Sequence, residues 1–164
     1  MSQLIVRFCS VFIILGFLGC TRDDICSEDT PTTPLMVITF NDIANPTLRK
    51  AVTGLTVQVQ GFGDDEVISE STTDSIAIPL NTAGIMTQYK FVENDNSGSR
   101  NVDYVQFNYT TEDIYVNRAC AFKSIYHDLL MSVQSEGSAN WILSFEILTT
   151  DIEDESQTHI TIFH

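Results

Sequence analysis

From Leu35 onward the chain reads as mostly β, an antiparallel β-sandwich. Two features carry that reading. Apolar and polar residues alternate over short stretches, the period of a half-buried strand. Turn signals rich in Gly, Asn, Asp and Ser recur about every dozen residues, as they do in sandwiches.

In chain order, Leu35–Phe40 is the first predicted strand, closed by Asn41-Asp42, and Pro46 with its polar neighbours makes a loop. Leu55–Gln60 alternates strictly and is ended by Gly61-Phe62-Gly63-Asp64-Asp65. Ser75–Leu80 is a short strand whose Pro79, lacking an N–H, places its end at a sheet edge. Gln88–Val92 follows, then a loop over Glu93–Ser99. Val102–Tyr109 has Val105, Phe107 and Tyr109 on one face, with Tyr104, Gln106 and Asn108 on the other. Ile114–Cys120 continues the strand pattern.

The stretch 122–132 reads two ways. Phe122, Ile125, Tyr126, Leu129, Leu130 and Val133 fall at helical spacing. Ala121, Lys123, Ile125, His127, Leu129, Met131 and Val133 would form one face of a long strand. Periodicity does not settle so short a run, so a short helix there stays open. Trp141–Thr150 is expected as a strand with Trp141, Leu143, Phe145 and Ile147 on one face. Asp151–Gln157 is an acidic connection, and His159–Phe163 pairs back as the last strand of a hairpin.

The beginning of the chain sets its compartment. Arg7 precedes an apolar run from Phe8 to Phe17, shorter than the roughly 20 residues a membrane-spanning helix needs. A basic start, an apolar middle and a small residue at the end match a cleaved export signal. Leu15-Gly16-Phe17-Leu18-Gly19-Cys20 ends it as a bacterial lipoprotein signal does, with Phe17 where Leu is usual. Residues 1–19 are therefore expected to be a signal peptide, 20–34 an acidic flexible tether and 35–164 the β-sandwich domain. Cys20 is the expected lipidation site, and its acyl chains anchor the protein at about 0.8 kcal/mol per buried CH₂. The expected place is the cell envelope, as an outer-membrane lipoprotein on the periplasmic face or the cell surface. Asp23-Asp24 fits both an acidic surface-export signal and a plain solvated linker.

Removing the signal takes only Arg7 from the 8 basic residues and leaves all 22 acidic ones, so a net charge of −14 becomes −15. Nucleic acid is excluded as a partner on that balance, since phosphate binding needs clustered Lys and Arg. Of the four cysteines, Cys9 leaves with the signal and Cys20 takes lipid. Cys26 and Cys120 remain as the expected disulfide in an oxidising compartment. It would tie the segment behind the anchor to the middle of the fold.

The residues Cys20–Cys26, Pro79-Leu80-Asn81-Thr82 and Tyr115–Lys123 resemble a family of small uncharacterised lipoproteins of bacteroidete bacteria, a domain of unknown function. The likeness covers nearly the whole mature chain. The family pattern has glycine after the second cysteine, where this chain has Ala121, which weakens any argument from a special backbone angle there. The resemblance brings no activity and no functional residue.

No His-Glu-x-x-His, Gly-x-Ser-x-Gly or P-loop pattern occurs, so no catalytic residue is assigned. His127 lies beside Asp128, but neighbours point apart on helix and strand alike. His159 and His164 flank the last strand, and no metal or cofactor is assigned to them. Asp151, Glu153, Asp154 and Glu155, with Asp64, Asp65 and Glu66, offer hard oxygens that suit calcium, yet such runs are ordinarily solvated loops. Tyr104 and Trp141 could stack on sugars only if their faces are exposed; otherwise they pack the core. Asp74-Ser75-Ile76 fits a short O-glycosylation pattern as well as an ordinary strand start. The functional expectation is a lipid-anchored, non-enzymatic binding or structural module. Its partners would be the membrane, through the lipid, and an envelope protein or glycan. An envelope hydrolase, or a glycan-binding protein, with a site assembled from separated residues is the alternative.

Overall fold

The computed structural model describes residues 25–61, 65–95 and 98–164. It is mostly β, with two mostly antiparallel sheets that are not closed into a barrel. The strands are β1 (Met36–Asp42), β2 (Asn45–Arg49), β3 (Val52–Val59), β4 (Glu66–Thr73), β5 (Ser75–Ile78), β6 (Met86–Glu93), β7 (Asn101–Asn117), β8 (Ala121–Val133), β9 (Ser144–Ile147) and β10 (Ile160–Phe163). Among the described residues the sole helical piece is a 3-10 turn at Gly137–Ala139. The described residues fall into two compact units. One comprises 25–31 with Tyr115–Phe122, and the other Thr32–Ile114 with Lys123–His164.

In the larger unit one sheet runs β2-β1-β10-β9, with β5 also on β1, and the other runs β4-β3-β6-β7-β8. The hairpin expected at the end of the chain is present, since β9 and β10 pair antiparallel, Phe145 opposite Ile162. β10 also lies parallel to β1, with Ile38 opposite Ile160. Met36, Ile38 and Phe40 of β1 share one core with Val57, Phe91, Phe107 and Leu129 of the other sheet. The two sheets therefore pack face to face, the sandwich arrangement. On β7 the expected faces hold: Val105, Phe107 and Tyr109 are buried, and Tyr104, Gln106 and Asn108 are partly exposed.

β8 resolves the ambiguous stretch as a strand, not a helix. It carries one extra residue. Tyr126 pairs with Ile152, but Leu129, three positions on, donates to the carbonyl of Thr150, two positions back. Asp128 takes φ +56° to accommodate this bulge, and its carboxylate accepts from Thr110 Oγ1 at 3.2 Å. The core therefore receives Tyr126 and then Leu129, Met131 and, partly, Val133. The three-residue step from Tyr126 to Leu129 is what imitates helical spacing.

Two other expectations are corrected, and one strand, β4, has no counterpart in the sequence reading. β2, with every residue exposed, occupies the expected Pro46 loop, and it tolerates proline because it pairs with the end of β1 alone. β4 is an edge strand of mostly polar residues, joined to β3 through register shifts, so its pattern is faint. The strand expected over Trp141–Thr150 shrinks to β9. Trp141 and Ile142, consecutive residues, are both buried while Leu143 is exposed, which breaks the period of two. Asp103 Oδ2 accepts from Ile142 N at 2.8 Å and Trp141 Nε1 donates to Phe91 O at 3.2 Å, so polar contacts rather than a ladder hold this segment.

The segment between β5 and β6 crosses from one sheet to the other. Its three consecutive carbonyls each accept a tyrosine hydroxyl from the facing sheet. Tyr89 donates to Pro79 O, Tyr126 to Leu80 O at 3.1 Å and Tyr109 to Asn81 O at 2.9 Å. Asn81 N donates to Thr87 Oγ1 at 2.9 Å. Burial pushes all three phenols above the ordinary tyrosine range, Tyr126 to about 12. Tyr126→Phe leaves the Leu80 carbonyl without its donor and should cost about 1–3 kcal/mol. That is a fall in thermal midpoint of about 2–4 °C per kcal/mol for a domain of this size. An unchanged melting curve would show that the hydroxyl contributes nothing.

Candidate functional site

The outer face of the second sheet carries a shallow groove of about 140 Å³. Gln60, Gln88, Tyr104, Val105, Gln106, Ser132, Val133 and Gln134 line it. The period of two explains this. Gln88 on β6 and Tyr104 and Gln106 on β7 point away from the core that Tyr89, Val105 and Phe107 fill. Gln88 stands opposite Gln106 in register and donates to its Oε1 at 3.0 Å. Gln106 in turn donates to Asn108 Oδ1 at 3.0 Å. Gln134 N donates to Tyr104 O at 2.8 Å, which places β8's end beside the ring. No lining residue is charged, in a chain of net charge −14. Amides and a hydroxyl offer donors and acceptors together, and Tyr104 adds a ring. Such a surface suits a neutral polyhydroxylated ligand better than an ion.

Tyr104 thus lies in the groove, and Trp141 does not. Trp141 is buried, with Phe40 at 6.3 Å and His164 at 5.7 Å between ring centroids. The glutamines were missed as site residues because a polar residue on the outer face of a strand is the ordinary pattern. Only the pairing of β6, β7 and β8 gathers them.

His127 has carboxylates near it, though not the adjacent Asp128. Its Nδ1 lies 2.7 Å from Asp151 Oδ1 and its Nε2 3.3 Å from Glu112 Oε2. The bulge turns His127 outward, and the pairing of Tyr126 with Ile152 sets Asp151 beside it. Asp151 first, then Glu112, hold this imidazole above the ordinary histidine range. His127 does not line the groove. Two other carboxylates of the acidic connection, Asp154 and Glu155, face elsewhere. Asp154 Oδ1 accepts from Ser156 N and Oγ, and Glu155 Oε1 from Leu35 N. Of the second acidic loop, Asp64 lies outside the described residues. His159 is buried, and its Nδ1 accepts from Val37 N at 2.9 Å, bracing the end of β10 against β1. Burial pushes it below the ordinary histidine value.

The two histidines have opposite linkage signs. His127, raised, adds stability below its unfolded value of about 6.5 and loses it as pH rises through the folded value. His159, lowered, costs stability as pH falls below about 6.5, because the unfolded chain takes up the proton first. His127→Gln should therefore cost more stability at pH 5.5 than at pH 8.5, measured by thermal melts against wild type. A larger cost at pH 8.5 would refute the assignment.

In the smaller unit the sulfurs of Cys26 and Cys120 stand 1.94 Å apart, disulfide distance, with Cα atoms 5.0 Å apart. Cys120 sits in the turn between β7 and β8, not in a strand. Asn117 Oδ1 shapes that turn by accepting from Ala119 N and Cys120 N at 2.9 and 2.8 Å. Ala121 takes φ +58°, so the special backbone angle is present although glycine is not. Cys20, Asp23 and Asp24 lie outside the described residues. A bond closing 94 residues contributes on the order of 4–5 kcal/mol in the chain-entropy account. Reduction should lower the thermal midpoint by roughly 10 °C at about 2–4 °C per kcal/mol. Two free thiols in the purified protein, by mass spectrometry, would remove that contribution.

A family model described as a family of unknown function, DUF6452, matches residues 56–164. It contains the Pro79–Thr82 and Tyr115–Lys123 stretches and leaves Cys20–Cys26 outside. No curated protein and no solved structure matches the chain.

Proposed function

The chain belongs to the DUF6452 family, whose function is unknown, and on that premise we propose a lipid-anchored cell-envelope module that binds a neutral glycan. The anchor is Cys20, at the end of a signal peptide over residues 1–19, and the compartment is the outer membrane of a bacteroidete-type bacterium. The observation that carries the binding reading is the uncharged, amide-rich groove around Tyr104. Sugar hydroxyls donate and accept at once, as carboxamides do, and a sugar's apolar face can rest on a tyrosine ring. An anionic ligand would find no cation in the lining, and the acidic chain would repel it.

The hydrolase alternative draws on His127 and its two carboxylates. Against it, the imidazole lies outside the groove lining, and the neighbouring Thr110 hydroxyl is directed to the Asp128 carboxylate and the His127 backbone carbonyl, not to the imidazole. A general base must reach the proton it abstracts.

Two variants test the two halves of the proposal. Cys20→Ser should move the protein from the membrane fraction to the soluble fraction, or leave it unprocessed; normal processing and detergent extraction would refute the anchor. Tyr104→Ala should weaken binding to a panel of neutral oligosaccharides about tenfold, equal to about 1.4 kcal/mol. Equal retention of wild type and variant would refute the groove as the ligand face.

A further inference from the structure

We propose that the turn of the β7–β8 hairpin, Tyr115–Phe122, seats on the surface of the bilayer that carries the anchor. The inference rests on the lipidation of Cys20 and goes beyond the groove. Two independent facts about the smaller unit lead to it.

The first is a leash. Cys26 lies six positions after Cys20, and an extended chain spans at most about 3.3–3.6 Å per residue. Cys26 can therefore lie no more than about 20–22 Å from the acylated residue. The disulfide-distance pair passes that limit on to the hairpin turn, because the Cα of Cys120 is 5.0 Å from that of Cys26. Without the bond, the turn has no such bound to the membrane.

The second is what the turn presents. Tyr115 and Phe122 face solvent at 59% and 62% exposure, and their rings pack on each other at 5.4 Å in an edge-to-face pair. Ile25, beside Cys26, is 78% exposed. Arg118 is exposed in the same turn. Exposed aromatic side chains next to a cation are the composition of a membrane-interface contact, where rings enter the head-group layer and the charge stays in water. Glu28 and Asp29, also exposed, belong to the same unit and disfavour strongly anionic lipid. The surface that fits is zwitterionic.

The contact gives the smaller unit a fixed attitude to the bilayer. A flexible tether alone lets a domain tumble, whereas a lipid and a docked turn are two attachments, and the second becomes intramolecular.

The test uses the full acylated protein on phosphatidylcholine vesicles with brominated acyl chains. Phe122→Trp reports the turn, and Leu148→Trp, exposed in the larger unit, is the control. Trp141 is buried and contributes the same background to both. Bromine should quench the Phe122→Trp emission at least twofold more than that of Leu148→Trp. Replacing Cys26 and Cys120 together with serine should abolish the difference while the protein still floats with the vesicles. Equal quenching of the two reporters on floating protein overturns the docked turn and leaves the anchor standing. Undiminished quenching without the cysteines overturns the leash. Failure of the acylated protein to float overturns the anchor and the docked turn with it.

Discussion

The crossing at Pro79-Leu80-Asn81 is the constraint on which the sandwich depends. A segment that leaves one sheet for the other has no ladder neighbour, so its carbonyls must find donors elsewhere or remain buried and unpaired. Three tyrosines, from β6, β7 and β8, supply those donors to three successive carbonyls. Their rings meanwhile fill the core: Tyr109 and Tyr126 lie 5.1 Å apart, and Tyr89 is 6.2 Å from Phe107. The hydroxyls therefore fix the distance and register between the sheets while the rings supply apolar area. Polar satisfaction at one crossing thus links the two layers.

Holding one face of β6, β7 and β8 against the crossing leaves the other face free for chemistry. That face is an amide row, Gln88 to Gln106 to Asn108, tied side chain to side chain. Linked carboxamides are already oriented, so a ligand bound there would meet groups with little rotamer freedom left to lose. The inner tyrosines hold the strands in register, and the outer glutamines inherit that register.

The bulge at Asp128 performs a different task. It turns His127 outward and leaves room for 150–152 to cover the exposed edge of β8. The His127–Asp151 contact is a consequence of that covering. Its location apart from the groove suits a clasp between strand and covering segment rather than a reacting centre.

Much of the sandwich was legible in the residues themselves. The alternation in Val102–Tyr109 assigns both faces of β7, and the acidic composition and the Cys26–Cys120 pair are local or countable properties. Sequence patterns fail where neighbours in space replace neighbours in the chain. β2 and β4 are edge strands whose polar side chains face water, so nothing in them alternates. Trp141 looked like a strand residue because its anchors, Phe91 and Phe40, are distant in sequence. The stretch 122–132 imitated a helix because one bulged residue changes a step of two into a step of three. The groove was hidden for the same reason: each glutamine alone is an ordinary outward residue. Alternation along the chain builds the strands, whereas which outward residues share a surface follows from register across β6, β7 and β8, which order along the chain does not contain.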